Sequence, residues 1–253
     1  MLHLGACGES NVAESLACGV TARYGKTVPG DDGGDRFADA IRLLLLIAGT
    51  ADPLDEISAK GAPANAVAVL RSESRLQKLD FWLRNPDYLA DELLNDYERE
   101  QDARVLEIAS SILDSEEPEI CAIPMLRYLF GAFEHLDRAL SVLVAPRLLV
   151  IETRRNVTGK VIQDNYYLTQ KGRQIAERAT AEYPELAWYT DRAVLVRALA
   201  DATGHTGLAL RKRQYLQRDY ASTPVGEIIP SIADQTRKRL AKLRIAVSEG
   251  EVA

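Results

Sequence analysis

The stretch that most narrows the folds open to this chain runs from Met125 to Ala179, where helical periodicity gives way to two strand-like runs around a basic turn and then returns. From Phe133 to Val144 the apolar residues Leu136, Ala139, Leu140, Leu143 and Val144 recur at helical spacing. This predicts a helix with one buried stripe and with Glu134, His135, Asp137, Arg138 and Ser141 outward. Pro146 stops it, because proline has no amide hydrogen and clashes with the preceding turn. Leu148 to Ile151 is an apolar run of strand length, and Val161, Ile162, Tyr166, Tyr167 and Leu168 form its partner. Between them Arg154-Arg155-Asn156-Val157-Thr158-Gly159-Lys160 supplies turn chemistry and a basic tip. Thr169 is placed to cap a helix from Gln170 to Ala179. Upstream, Ala103 to Leu113 carries Val105, Ile108, Ala109 and Ile112 on one face and is expected to be the first helix of the unit. Helix, helix, strand, turn, strand, helix is the order of a winged helix.

A winged helix reads DNA when its second helix enters the major groove and basic wing residues meet phosphates. The residues placed for that role are Arg154, Arg155 and Lys160 on the wing, Arg138 on the helix face and Arg127 just upstream. The same helix face carries Glu134 and Asp137, which the phosphate field repels and whose acceptors suit only cytosine or adenine amines. A winged helix used as a protein-docking block is therefore the leading reading, and DNA contact the competing one. Three charges on a hairpin tip also occur simply because water solvates them.

Charge is unevenly spread along the 253 residues. The net charge of −6 divides into 11 Lys+Arg against 23 Asp+Glu in residues 1–119 and 20 against 14 in residues 120–253. Such a split suits a protein that offers an acidic face to one partner and a basic face to another, and equally suits plain compositional drift. Cys7, Cys18 and Cys121 have no paired or Cys/His spacing, so neither a disulfide framework nor a zinc site is indicated, as in a reducing cytoplasm. No secretory leader is recognisable, and the apolar run Leu43 to Ala48 is far shorter than the roughly 20 residues a bilayer span needs. A soluble, cytoplasmic protein is expected.

Four regions follow from composition and periodicity. Residues 1–34 are rich in glycine and alanine and read as a loosely structured lead-in ending in a hinge, with no Gly-Lys-Ser/Thr ending that would make a phosphate loop. Residues 35–99 read as an acidic, helix-turn-helix-like module. Within it Phe37 to Ala48 forms a helix that Gly49 ends, Asp52-Pro53 opens a short second helix, Val67 to Leu83 is apolar at helical spacing, and Tyr88 to Leu94 forms another helix after Asn85-Pro86. Residues 100–182 hold the winged helix and 183–253 further helices, with Arg211-Lys212-Arg213 and Arg237-Lys238-Arg239 as basic clusters. The expected fold class is mainly α with a small β-hairpin wing: a helix-turn-helix-like N-terminal module, a winged helix and C-terminal helices.

Catalysis finds little support. His3, His135 and His205 are scattered, and the sequence holds no HExxH, GxSxG, P-loop or dinucleotide fingerprint. Asp80, Asp87, Asp91 and Glu92 cluster near Trp82, yet an exposed acidic helix face needs no metal and no histidine lies beside them. No catalytic residue, metal site or cofactor is expected.

Two stretches carry a family resemblance. Leu76-Gln77-Lys78-Leu79-Asp80-Phe81-Trp82-Leu83-Arg84-Asn85-Pro86-Asp87-Tyr88-Leu89 resembles a leucine, aspartate, phenylalanine and proline pattern of the middle components of bacterial ABC-three-component systems. Met125-Leu126-Arg127-Tyr128-Leu129-Phe130-Gly131-Ala132-Phe133-Glu134-His135 is similar to a second pattern found there, with Phe130-Gly131-Ala132 in place of the usual aromatic-glycine-proline. The resemblance implies a small non-catalytic adaptor linking an ATPase to an effector in an anti-phage or mobile-element defence locus. The alternative is a winged-helix transcription regulator, expected as a homodimer, with the wing on phosphates and the Arg138 face in the groove.

Overall fold

The computed structural model describes residues 36–56, 59–128, 131–204 and 206–250; the lead-in expected over 1–34 lies outside them, as do His3, His205, Cys7 and Cys18. In chain order the elements are α1 (Arg36–Thr50), β1 (Asp52–Pro53), β2 (Ala66–Arg71), α2 (Glu73–Arg84), α3 (Pro86–Glu100) and α4 (Ala103–Asp114). There follow α5 (Glu117–Ile120), β3 (Leu126–Tyr128), β4 (Gly131–Phe133), α6 (Asp137–Val144), β5 (Leu149–Arg155) and β6 (Val161–Thr169). The last elements are α7 (Gln170–Glu182), α8 (Pro184–Ala202), α9 (Gly207–Leu216), α10 (Arg218–Ser222) and α11 (Ala233–Gly250). The protein is thus mainly helical with a small antiparallel four-stranded sheet, as the sequence predicts.

Two compact units share this chain, and each is assembled from two separated stretches: up to Leu76 with His135–Ala202, and Gln77–Glu134 with residues from Thr203 onward. The consecutive regions read from the sequence therefore do not coincide with the compact units. In the first unit α1 is apolar in nearly every register, so Ala40 to Ile47 is buried throughout, Arg42 included, and its guanidinium bonds Asp39 one turn back. The sheet order is β1-β2-β6-β5, with β2 antiparallel to β6 and β6 antiparallel to β5. Helix α1, strand β2, helix α2, helix α6 and the β5–β6 hairpin come in the chain order expected of a winged helix, but α2 passes from the first unit into the second after Leu76 and the chain returns only at His135. The opening helix is α1, and α4, expected in that place, lies in the second unit.

Local differences from the sequence reading have physical causes. Asp52-Pro53 does not open a helix: Asp52 pairs with Val69 and Pro53 with Ala68 in the sheet. Val67 to Leu70, spaced like a helix, are strand residues, because β2 is bonded on both edges and buries Ala68, Val69 and Leu70. Gly49 does not end α1, which continues to Thr50. A Cβ on Gly49 would stand 2.6 Å from the Cβ of Ala193 on α8, so its missing side chain permits a close helix approach. The hairpin and the Thr169 cap agree with expectation: the Thr169 hydroxyl accepts from Gly172 N at 3.0 Å and donates to the carbonyl of Arg147 or Leu148.

The second unit has an aromatic centre. Phe81 meets Trp82, Tyr88 and Tyr220 at ring centroid separations of 5.1, 5.4 and 5.3 Å. The Tyr88 hydroxyl donates to Pro230 O at 3.0 Å, and that of Tyr220 accepts from Ala132 N at 2.5 Å. Burial pushes the Tyr220 phenol up to about 12, although the Ala132 amide acts in the other direction. The helix expected from Phe133 begins at Asp137. Before it, β4 pairs with β3, and Gln77 clamps the Glu134 backbone by accepting from its N–H at 3.0 Å and donating to its carbonyl at 2.7 Å.

Candidate nucleic-acid interface

The wing is a hairpin with an internally bonded tip. The β5–β6 ladder runs from Leu149 opposite Leu168 to Arg155 opposite Val161, with a bulge between Arg154 and Arg155. At the tip the Asn156 side-chain oxygen accepts from Thr158 N at 3.0 Å, Thr158 Oγ1 at 2.7 Å and Lys160 N at 2.9 Å. Gly159 takes φ +81°, a conformation that favours glycine, and its carbonyl accepts from Arg155 Nη1 at 3.0 Å. Arg154, Arg155 and Lys160 are exposed, and among the described residues no carboxylate forms an ion pair with any of them. Val157 stands fully exposed between them.

Helix α6 buries Ala139, Leu140 and Leu143 and exposes Asp137, Arg138, Ser141 and Val144. The Ser141 hydroxyl donates to Arg138 O at 2.6 Å. Glu134, read from the sequence as part of this helix's outer face, precedes the helix and falls in the other unit, where its carboxylate pairs with Arg84. The exposed polar face of α6 is therefore Asp137, Arg138 and Ser141, less acidic than the spacing suggests.

Arg127 does not join this surface. It lies in the second unit on β3, is buried, and holds its guanidinium over Tyr215 and Tyr220 at 4.8 and 5.4 Å from the ring centroids while donating to Tyr128 O. The structure thus brings Arg154, Arg155 and Lys160 together, places Arg138 on α6 of the same unit, and assigns Arg127 to the packing of the other.

Arg213 of the α9 cluster and Arg237 and Arg239 of the α11 cluster have carboxylate partners within the second unit. Arg213, buried, pairs with Glu92 and Asp96 of α3, and Glu92 also accepts from Gln217 Nε2 at 2.6 Å. Arg239 reaches Asp91 and Glu98, each at 2.8 Å, and Asn95 at 2.8 Å. Arg237 pairs with Glu119 at 2.6 Å, and Arg244 with Asp114. Asp87 is different: it accepts from Ser231 Oγ at 2.8 Å and Ile232 N at 2.7 Å ahead of α11, and burial pushes its carboxyl up against those hydrogen bonds. The acidic cluster near Trp82 is accordingly divided among separate partners, Asp80 with Arg84 at 3.4 Å included. Among the described residues no group of three or more His, Cys, Asp or Glu is arranged to hold a metal, and no helix is long and apolar enough to cross a membrane.

A further cationic cluster joins three separate parts of the chain and has no local sequence signal. Asp52 is reached by Arg75 at 3.0 Å, Arg197 at 3.3 Å and Arg71 at 3.6 Å. Partial burial pushes the Asp52 carboxyl up, but the hydrogen bond from Arg75 and the charges of Arg75, Arg197 and Arg71 outweigh it and hold the group below its ordinary value. Arg71 closes β2 and Arg75 lies in the first turn of α2, so the two arginines reach Asp52 from different elements.

Compared with known protein families, curated proteins and solved structures, the chain matches none.

Proposed function

We propose that this chain is a non-catalytic adaptor that docks partner proteins and touches the DNA backbone through its wing. The observation that carries the DNA contact is the wing itself: three exposed cations on an internally bonded tip, with no carboxylate among the described residues paired to them, whereas arginines of the other basic clusters bond carboxylates of their own unit. Cations left unpaired on a projecting hairpin suit phosphates, which bind without regard to sequence. The short α6 face, with Asp137 beside Arg138, offers little for reading bases. The family resemblance adds the protein side of the proposal: an ATPase and an effector of a bacterial defence system as the docked partners.

The second reading, a winged-helix transcription regulator, is favoured by the absence of Glu134 from the α6 face. One titration separates the two. Binding of random and self-promoter duplexes is measured across a salt series, with Arg154→Glu/Arg155→Glu/Lys160→Glu alongside. Three phosphate contacts predict a log–log salt slope of about −2.7, lost in the variant. Equal binding to both duplexes supports the adaptor, and promoter-selective binding supports the regulator. Binding that the triple variant leaves unchanged would remove the wing from either account.

A further inference from the structure

The cluster around Asp52 contains a buried guanidinium with two of its three nitrogens unpaired. Arg75 is 5 % exposed in its side chain and spends Nη1 on Asp52, while its Nε and Nη2 are buried and bond nothing in the structure. Nε and Nη2 form the side-on edge of the guanidinium, two parallel donors matched to two oxygens of one oxyanion. Burying such donors without an acceptor is unfavourable, so this unpaired edge points to an acceptor that completes it.

The surroundings suit a phosphate-type group. Arg71 and Arg197, 43 % and 30 % exposed in their side chains, flank Asp52 on the solvent side. Arg197 is fixed by donating Nη1 to Thr50 O at 3.1 Å and Ala51 O at 2.8 Å, at the carbonyl end of α1. Arg75 lies in the first turn of α2, next to Ser72 and Ser74, whose hydroxyls share a hydrogen bond of 2.8 Å at the surface. The opening amides of a helix add donors and a positive dipole end. Every one of these residues belongs to the first unit.

We propose that Arg71, Arg75 and Arg197, beside Asp52 and at the start of α2, form a binding site for a tetrahedral phosphate-type oxyanion. The anion bonds the Nε/Nη2 edge of Arg75 and the outer guanidiniums, with the Ser72 and Ser74 hydroxyls and the first amides of α2 as further donors. The site is separate from the wing tip and does not depend on the proposed DNA contact.

The test uses the full chain and inorganic phosphate alone, titrated by calorimetry and by thermal unfolding against chloride at matched ionic strength. Wild type is expected to bind saturably and to unfold at a higher temperature with phosphate than with chloride. Arg71→Gln, at a half-exposed position, is expected to weaken binding about tenfold, the effect of one charge-assisted contact. Ser74→Ala, a milder change, weakens it less, and Arg75→Gln abolishes it if that variant folds. The wing variant Arg154→Glu/Arg155→Glu/Lys160→Glu keeps wild-type phosphate binding. No effect of phosphate beyond chloride overturns the site, as a water on Arg75 would predict. So does binding lost in the wing variant and kept in Arg71→Gln. If Arg71→Gln also weakens duplex binding, the anion is a backbone phosphate; if it leaves duplex binding intact, the anion is a free or monoester phosphate.

Discussion

Arg154-Arg155 with Lys160 on the wing, and Arg211-Lys212-Arg213 with Arg237-Lys238-Arg239 on α9 and α11, look alike along the chain and end differently in space. In the second unit, residues 77–134 hold 5 Lys+Arg and 14 Asp+Glu, while residues 203–253 hold 9 and 5. The unit joins an acidic stretch to a basic one, and Arg213, Arg237, Arg239 and Arg244 bond carboxylates of the former. The charge asymmetry that suggested separate acidic and basic docking faces is thus in part the complementarity of two halves of one unit. The wing lies on the β5–β6 hairpin at one edge of the sheet of the first unit, and among the described residues no carboxylate is ion-paired with Arg154, Arg155 or Lys160. What decides the role of a basic run is the element folded against it.

The sharpest way to break this comparison is to remove the most buried cation. Arg213→Met leaves Glu92, only 4 % exposed in its side chain, without its guanidinium partner, and the uncompensated carboxylate should destabilise the fold by about 3–5 kcal/mol. Chemical denaturation reads this directly. A change below about 1 kcal/mol would mean that Gln217 and solvent suffice for Glu92, and that the ion pair is no more structural than the wing.

Arg239 should matter less. Its side chain is 26 % exposed but joins Asp91, Glu98 and Asn95, and Arg239→Met is expected to cost about 1–2 kcal/mol. Arg244, 46 % exposed against Asp114 at 56 %, should cost under about 0.5 kcal/mol when changed to Met, because water screens both partners. Added salt should shrink both differences while leaving that of Arg213 nearly unchanged. Equal losses at all three positions would show that burial does not grade these pairs.

How much of this was legible in the sequence depends on distance along the chain. The hairpin was: Asn156 and Gly159 dictate its tip, Pro146 follows the end of α6, and Thr169 caps α7, all through contacts a few residues apart. Strand β2 was not, because Ala66 to Leu70 is a short apolar run, buried from Ala68 to Leu70, and periodicity cannot tell it from a helix. The division into two interleaved units was hidden too, since nothing local says that chain leaving after Leu76 returns at His135. The pairs Arg213 with Glu92 and Arg197 with Asp52 span well over a hundred residues, so no local pattern connects them. Of the candidate interface, the wing cations are exposed as their place on a hairpin tip suggests, whereas Arg127 stacks on Tyr215 and Tyr220, a contact beyond any local pattern.

Within the first unit, Asp52 gives a pH test of the same idea. Its folded-state carboxyl is held below the ordinary value, so its contribution to stability is present above the unfolded-state value and is lost as pH falls through the folded one. The stability difference between wild type and Asp52→Asn should therefore be constant near neutrality and close on acidification. A difference that does not narrow at low pH would mean the Asp52 ion pairs add nothing beyond the hydrogen bonds an amide can keep.

The smallest effect on stability is expected at the wing, and there it is the informative one. With no paired carboxylate to strand and full exposure on the hairpin, Arg154→Ala and Lys160→Ala should each move the unfolding free energy by no more than about 0.5 kcal/mol. Arg155→Ala removes one hydrogen bond to Gly159 O and belongs in the same range. Each change should nonetheless reduce the salt slope of duplex binding by about 0.9, one phosphate's share. A wing variant that loses stability without losing duplex affinity would place these cations with Arg213 as structural charges. The opposite outcome, full stability and a shallower salt slope, would mark the tip as charge held for an external polyanion.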